Sequence, residues 1–263
     1  MLQKLMLFII LPICATLQRK EKIQARSKII QNWNRFDNGF AFNISQAEKV
    51  LGKVTHWDSG RAKVVDKSLM VTIPSNTLSK GLIANVKLEP SMEYVVSYDI
   101  RFDENFDWSR GGKVGFGFAF GNANAGGKRP VNGEGGTFRL CWRRFENKQI
   151  AFHPYLYFID QEGQYGDIPS RYPINGSLEK NKWYRVVMRM KCNTFDNKDG
   201  RAFLSINGET VLDVPIRWTN NDSKRLINRL TFHTFRGGGD KTWLSSTDGY
   251  VFYDNLKVNR ISK

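Results

Sequence analysis

From about residue 36 to the C-terminus, apolar residues alternate with polar ones in short runs, and Gly, Asn and Asp interrupt the runs at short, regular intervals. A period of two is the mark of a strand with one buried face. Many such strands between turn residues predict an all-β fold, an antiparallel β-sandwich of the jelly-roll type with a concave face for ligand. The clearest predicted strands are 68–73, 93–102, 113–120, 137–143, 153–159, 183–191, 201–206, 229–235 and 250–258. Asn207-Gly208, between Phe203-Leu204-Ser205-Ile206 and Thr210-Val211-Leu212, predicts a tight hairpin because both residues tolerate positive φ. No long amphipathic helix, repeat or low-complexity tract interrupts the pattern. Residues 36–263 read as one domain, preceded by a polar, basic linker over 16–35.

Strand parity separates the core face from the face that can meet ligand. In Lys113–Phe120 the even residues Val114, Phe116, Phe118 and Phe120 form an apolar stripe. The odd residues Lys113, Gly115, Gly117 and Ala119 place a lysine beside a floor almost without side chains. In Thr137–Arg143, Phe138, Leu140 and Trp142 read as core, opposite Thr137, Arg139, Cys141 and Arg143. His153, Tyr155 and Tyr157 likewise oppose Leu156 and Phe158. In Trp183–Lys191 the buried parity is Tyr184, Val186, Met188 and Met190, leaving Arg185, Arg189 and Lys191 outside. One sheet face is thus expected to collect Lys, Arg, Tyr and His with almost no acid.

Charge and the N-terminus narrow the partner. A formal net charge of +15 on 263 residues attracts polyanions, among them nucleic acid, anionic lipid and acidic glycans. Lys4 followed by the apolar run Leu5 to Leu11 and then Pro12-Ile13-Cys14-Ala15 reads as a signal peptide over 1–15, too short for a comfortable membrane span. A lipid anchor on Cys14 is the lesser alternative, because bulky Ile13 precedes it. A secreted chain has little access to genomic nucleic acid, and the run gives no stable membrane insertion. Cys141 and Cys192 then remain, on opposite strand phases, and are expected to be free thiols. His56, His153 and His233 are far apart in sequence and no CxxC pair occurs, so no metal site is expected.

The residue types of the polar face also select a reaction. A glycosidase needs two carboxylates flanking the scissile bond. Here the acids gather in loops such as Asp103-Glu104 and Asp160-Gln161-Glu162. A uronic-acid polymer allows β-elimination instead. A cation neutralises the uronate carboxylate, a base removes the C5 proton, and an acid protonates the C4 oxygen as it leaves. Arg139 fits the first task. Lys113 or a tyrosine fits the base, where neighbouring cations disfavour the protonated amine and favour the phenolate. Tyr155 or Tyr157 fits the acid. Thr137, Arg143, His153, Arg185 and Arg189 are the expected substrate-holding residues.

The segments Phe106-Asp107-Trp108-Ser109-Arg110-Gly111-Gly112-Lys113, Thr137–Arg143, Tyr155-Leu156-Tyr157 and Phe232-His233-Thr234-Phe235-Arg236-Gly237-Gly238, with Trp243 and Tyr253-Asp254-Asn255, resemble polysaccharide lyase family 14. The family comprises β-jelly-roll lyases acting on alginate and other polyuronates. The resemblance implies a catalytic cleft of Lys113, Arg139 with Thr137, and Tyr155 with Tyr157, and chemistry without metal or organic cofactor. This chain has Val114-Gly115-Phe116 where the family usually has leucine-proline-glycine, and Thr137 where it usually has serine. The expected protein is therefore a monomeric secreted lyase of an acidic polysaccharide. A glycan-binding module using the same face without turnover is the alternative, and a nucleic-acid binder would rest on charge alone.

Overall fold

The computed structural model describes residues 23–166 and 168–261. The expected signal peptide over 1–15 lies outside the described residues. Two antiparallel sheets form the body. The first contains β1 (Lys28–Gln31), β3 (Ala62–Val65), β4 (Ser68–Ile73), β6 (Glu93–Phe102), β10 (Trp183–Lys191), β11 (Gly200–Ile206), β12 (Glu209–Ile216) and β14 (Gly249–Arg260). Its order is β12-β11-β10-β6-β14-β4-β3, with β1 on the C-terminal part of β14. The second contains β2 (Val54–Trp57), β5 (Gly81–Ser91), β7 (Gly111–Gly121), β8 (Gly135–Arg144), β9 (Ile150–Tyr157) and β13 (Ile227–Arg236), in the order β2-β5-β13-β7-β8-β9.

The core lies between the sheets and follows the predicted parity. Tyr94, Val96, Tyr98, Ile100 and Phe102 of β6 are buried with Phe116, Phe118 and Phe120 of β7 and Phe138, Leu140 and Trp142 of β8. Phe116 stacks on Phe232 at 4.1 Å between centroids, and Tyr98 meets Phe116 edge-on at 5.2 Å. Asn207 (φ 52°) and Gly208 (φ 84°) make the predicted hairpin between β11 and β12. A short helix, α1 (Ile44–Leu51), begins at Asn43, whose side chain accepts from the Gln46 N–H at 3.2 Å, and buries Ala47, Val50 and Leu51.

Three expectations change. The stretch expected to be a linker as far as residue 35 already contains β1, and Ile29 and Trp33 are each only 1% exposed, so the domain begins inside it. Strand β10 pairs with β6 and β11, in the other sheet from β7, β8 and β9. Arg185 and Arg189 therefore lie away from the Lys113 face. Arg185 pairs with Asp99 at 2.9 Å and Arg189 with Glu93, so both bind within their own sheet. Finally, Gly115 does not open a floor. A Cβ there would lie 2.3 Å from the Tyr98 hydroxyl in the core, and its φ of +77° belongs to the bulge between Val114 and Phe118.

The placement of Trp33 is testable by substitution. Trp33→Ala is expected to cost about 3–5 kcal/mol in denaturant unfolding, because it empties a core site. A change within experimental error would return residues 16–35 to the status of a linker.

Candidate active site

The outer face of the six-stranded sheet carries Lys113 of β7 and the odd-numbered residues of β8 and β9, and the strand register sets them in rows. Lys113 lies opposite Cys141, which lies opposite His153. One step along β8, Arg139 faces Tyr155, and one step further Thr137 faces Tyr157. The Lys113 ammonium sits over the Tyr155 ring, 3.5 Å from its centroid. The Arg139 guanidinium lies 5.4 Å from the Tyr155 ring and 5.8 Å from the Tyr157 ring. The two phenol oxygens are 3.5 Å apart. A cation against an aromatic face is held by the ring's negative quadrupole, so the tyrosines help to hold both cations in place.

This face is also buried, because loops cover it. The Gly127 N–H donates to the Tyr157 hydroxyl at 2.7 Å, and the Thr137 hydroxyl donates to the Asn124 carbonyl at 3.0 Å. Arg129 ties the same loop to the Gln161 carbonyl. Tyr157 is fully buried, and Tyr155 and Arg139 are each 6% exposed. Thr137 thus spends its proton on the covering loop rather than on a ligand.

Burial sets the electrostatics. Desolvation lowers the Arg139 pKa from its ordinary value, and the nearby ionisable groups acting on it are Cys141, Tyr155 and Tyr157. Its Nε and Nη2 are buried with no hydrogen-bond partner among the described residues. Such a group is costly unless a ligand anion completes it. Burial, then the charges of Lys113 and Arg143, push the His153 pKa down to about 3. Burial, then Arg139 and Lys113, push His233 down to about 3 as well. Both imidazoles are neutral at ordinary pH, which spares the site two further positive charges.

The structure brings Lys113, Thr137, Arg139, Arg143, His153, Tyr155 and Tyr157 onto one face and leaves Arg185 and Arg189 on the other sheet. It adds His233 and Thr231 of β13, in phase with Arg229 on the strand beside β7. The buried ring nitrogens of His233 and the buried Thr231 hydroxyl have no hydrogen-bond partner among the described residues. The parity of β13 was readable, but its adjacency to β7 was not. Strands β7, β8, β9 and β13 contain no Asp or Glu, so no pair of acids can flank a bond from them. Cys141 and Cys192 are both buried and are not joined in a disulfide. Among the described residues no three His, Cys, Asp or Glu side chains converge as metal ligands.

The structure of alginate lyase Aly36B matches with a TM-score of 0.89 at 45% identity, covering 91% of this chain and 99% of that one. A variant of that enzyme with one lysine and one tyrosine replaced by alanine, in complex with an alginate tetrasaccharide, matches equally well at 44% identity. The PL-14 alginate lyase from Aplysia kurodai shares the fold, with a TM-score of 0.66 at 19% identity over 88% of this chain and 99% of that one. Exolysin of Paramecium bursaria Chlorella virus 1 is 24% identical over 204 residues, or 68% of this chain. The chain spans about a third of the length of that curated relative, 31% of it. The family model described as polysaccharide lyase 14 matches residues 61–256, and the chain belongs to that family.

Proposed function

We propose that this protein is a polysaccharide lyase that cleaves alginate by β-elimination. The observation that carries this reading is the buried Arg139 guanidinium, which has no carboxylate partner among the described residues, beside Lys113 and Tyr155 on a face whose central strands contain no acid. The alginate complexes of the related lyase support the choice of polymer. The apolar run Leu5 to Leu11 supports export, which would bring the enzyme to an extracellular polymer.

In the proposed reaction the carboxylate of one uronate seats on Arg139, whose planar donors match it and whose charge stabilises the enolate-like intermediate. A base removes the C5 proton. The electron pair forms the C4–C5 double bond, the C4–O bond breaks, and the departing oxygen takes a proton. Lys113 and Tyr155, in contact with each other, are the proton-transfer pair. Tyr157 is held by the Gly127 N–H and by the Tyr155 oxygen, so it positions Tyr155 rather than meeting the sugar. Neutral His233, next to the two cations, leaves its ring nitrogens for sugar hydroxyls.

Incubation with alginate is expected to generate ultraviolet absorbance from the new double bond, with unsaturated uronates at the product ends by mass. No absorbance with alginate or with any other polyuronate would refute the assignment.

Lys113→Ala and Tyr155→Phe are each expected to lower kcat by about a hundredfold or more while the thermal midpoint changes little. Wild-type turnover in both variants would remove them from the reaction.

The neutral histidines also set an acid limit. Each has a folded-state pKa near 3 against an ordinary value of 6.5, so below pH 6.5 the unfolded chain takes up protons that the native chain refuses. Their contribution to stability is therefore intact above pH 6.5. It falls as pH drops from 6.5 towards 3, by roughly 1 kcal/mol per pH unit for each histidine. Denaturant midpoints measured between pH 7 and pH 4 are expected to decline less steeply in His233→Gln than in the wild type; parallel declines would show that His233 is protonated in the folded protein.

A further inference from the structure

Beyond the reacting residues, the same sheet face continues into a second cationic feature. From Tyr157, ring contacts run to Tyr155 at 5.7 Å, to His153 at 6.3 Å and to Phe145 at 6.1 Å. Phe145 lies just after β8 and carries two guanidinium groups over its ring, Arg171 at 4.9 Å and Arg143 at 5.9 Å. Beside them Arg110 lies over Trp243 at 5.1 Å. Together with Arg144 these residues line a groove of about 640 Å³, whose described lining holds four arginines and one carboxylate, Glu146.

The groove is built rather than incidental. Arg110 donates to the Thr242 hydroxyl at 2.8 Å and Arg144 to the Ser109 carbonyl at 3.0 Å, which fixes two of the four guanidinium groups from behind. Arg171 has no ion-pair partner among the described residues, and the Phe145 ring orients it. Arg143 stands four residues along β8 from Arg139, roughly 13 Å away in an extended strand. One sugar cannot reach both. The opposite end of the face is covered by the loop that binds Tyr157 and Thr137, so the groove lies at the end where a polymer can continue.

We propose that this arginine and aromatic groove is a distal uronate subsite, which binds a carboxylate of the same polymer more than one unit from the scissile bond. The proposal rests on the lyase reading for its role in turnover. Arg171 meets the carboxylate through its planar donors, and the rings of Phe145 and Trp243 give the sugar an apolar surface beside it. A subsite at this distance makes the enzyme favour long chains over the shortest ones it can cleave, because only long chains occupy both sites at once.

The test compares kcat/KM on alginate polymer with kcat/KM on the shortest alginate oligosaccharide that the wild type cleaves. In the double variant Arg171→Ala and Trp243→Ala the ratio of polymer to oligosaccharide is expected to fall about tenfold, mainly through KM on the polymer. Arg201→Ala is the control for bulk charge. Arg201 lies on β11 of the other sheet, paired with Asp213 at 2.6 Å, and its loss should leave the ratio unchanged. An unchanged ratio in the double variant, or an equal fall in Arg201→Ala, overturns the proposal. A calorimetric titration with the polymer separates this from the lyase reading. If the wild type makes no unsaturated product, the groove still predicts about tenfold weaker polymer binding in the double variant, and equal binding refutes it.

Discussion

A buried guanidinium with no counter-ion among the described residues is the constraint around which this face is organised. Arg139 has two nitrogens with no hydrogen-bond partner among the described residues and is 6% exposed. In a folded protein such a charge costs several kcal/mol unless something completes it. The surroundings limit that cost in one way and leave the rest to a ligand. Tyrosine rings meet Arg139 and Lys113 with their electron-rich faces, and the histidines nearby stay neutral. No acid on the central strands quenches the charge. A substrate carboxylate entering this site finds donors that nothing else uses, in surroundings of low dielectric where each interaction is strong.

Holding that arrangement needs a scaffold rigid on both sides of one sheet. The inner side is an aromatic core in which Phe116 and Phe232 stack and Tyr253 accepts from the Gly115 N–H at 3.1 Å. That contact and the bulge at Gly115 fix β7 directly after Lys113, so the core sets where the lysine stands. On the outer side the loop bearing Asn124 and Gly127 hydrogen-bonds to Thr137 and Tyr157. The tyrosine pair is thereby fixed from its own strand and from above, which is the preorganisation that an electrostatic mechanism requires.

Much of this was legible in the chain. Period-two alternation identified β4, β6 and β10 with their observed bounds, and the parity of β8 and β9, and of β7 apart from its bulge at Gly115, assigned core and outer faces as found. Parity, however, says which residues share a strand face and not which strands share a sheet. For that reason Arg185 and Arg189, in phase on β10, were grouped with Arg139 although β10 pairs with β6, and their partners Asp99 and Glu93 became visible only with the register. His233 was missed for the converse reason, since only the pairing of β13 with β7 brings it near Lys113. Strand β5 alternates through Leu82, Ala84, Val86 and Leu88, a pattern strong enough to have been read. Strand β1 is short and lies in a basic stretch, so its one buried apolar residue, Ile29, gave little signal. Gly115 looked like space for a ligand because a sequence cannot say on which side of a bulge the missing side chain would fall.

In the proposed reaction the carboxylate of the sugar is what completes Arg139. Calorimetric titration of the Tyr155→Phe variant with an alginate oligosaccharide and with its methyl ester tests this directly. The acid should bind about tenfold or more tightly than the ester, and that preference should shrink when Arg139→Met is added. Equal affinity for acid and ester, or a preference untouched by Arg139→Met, would contradict it.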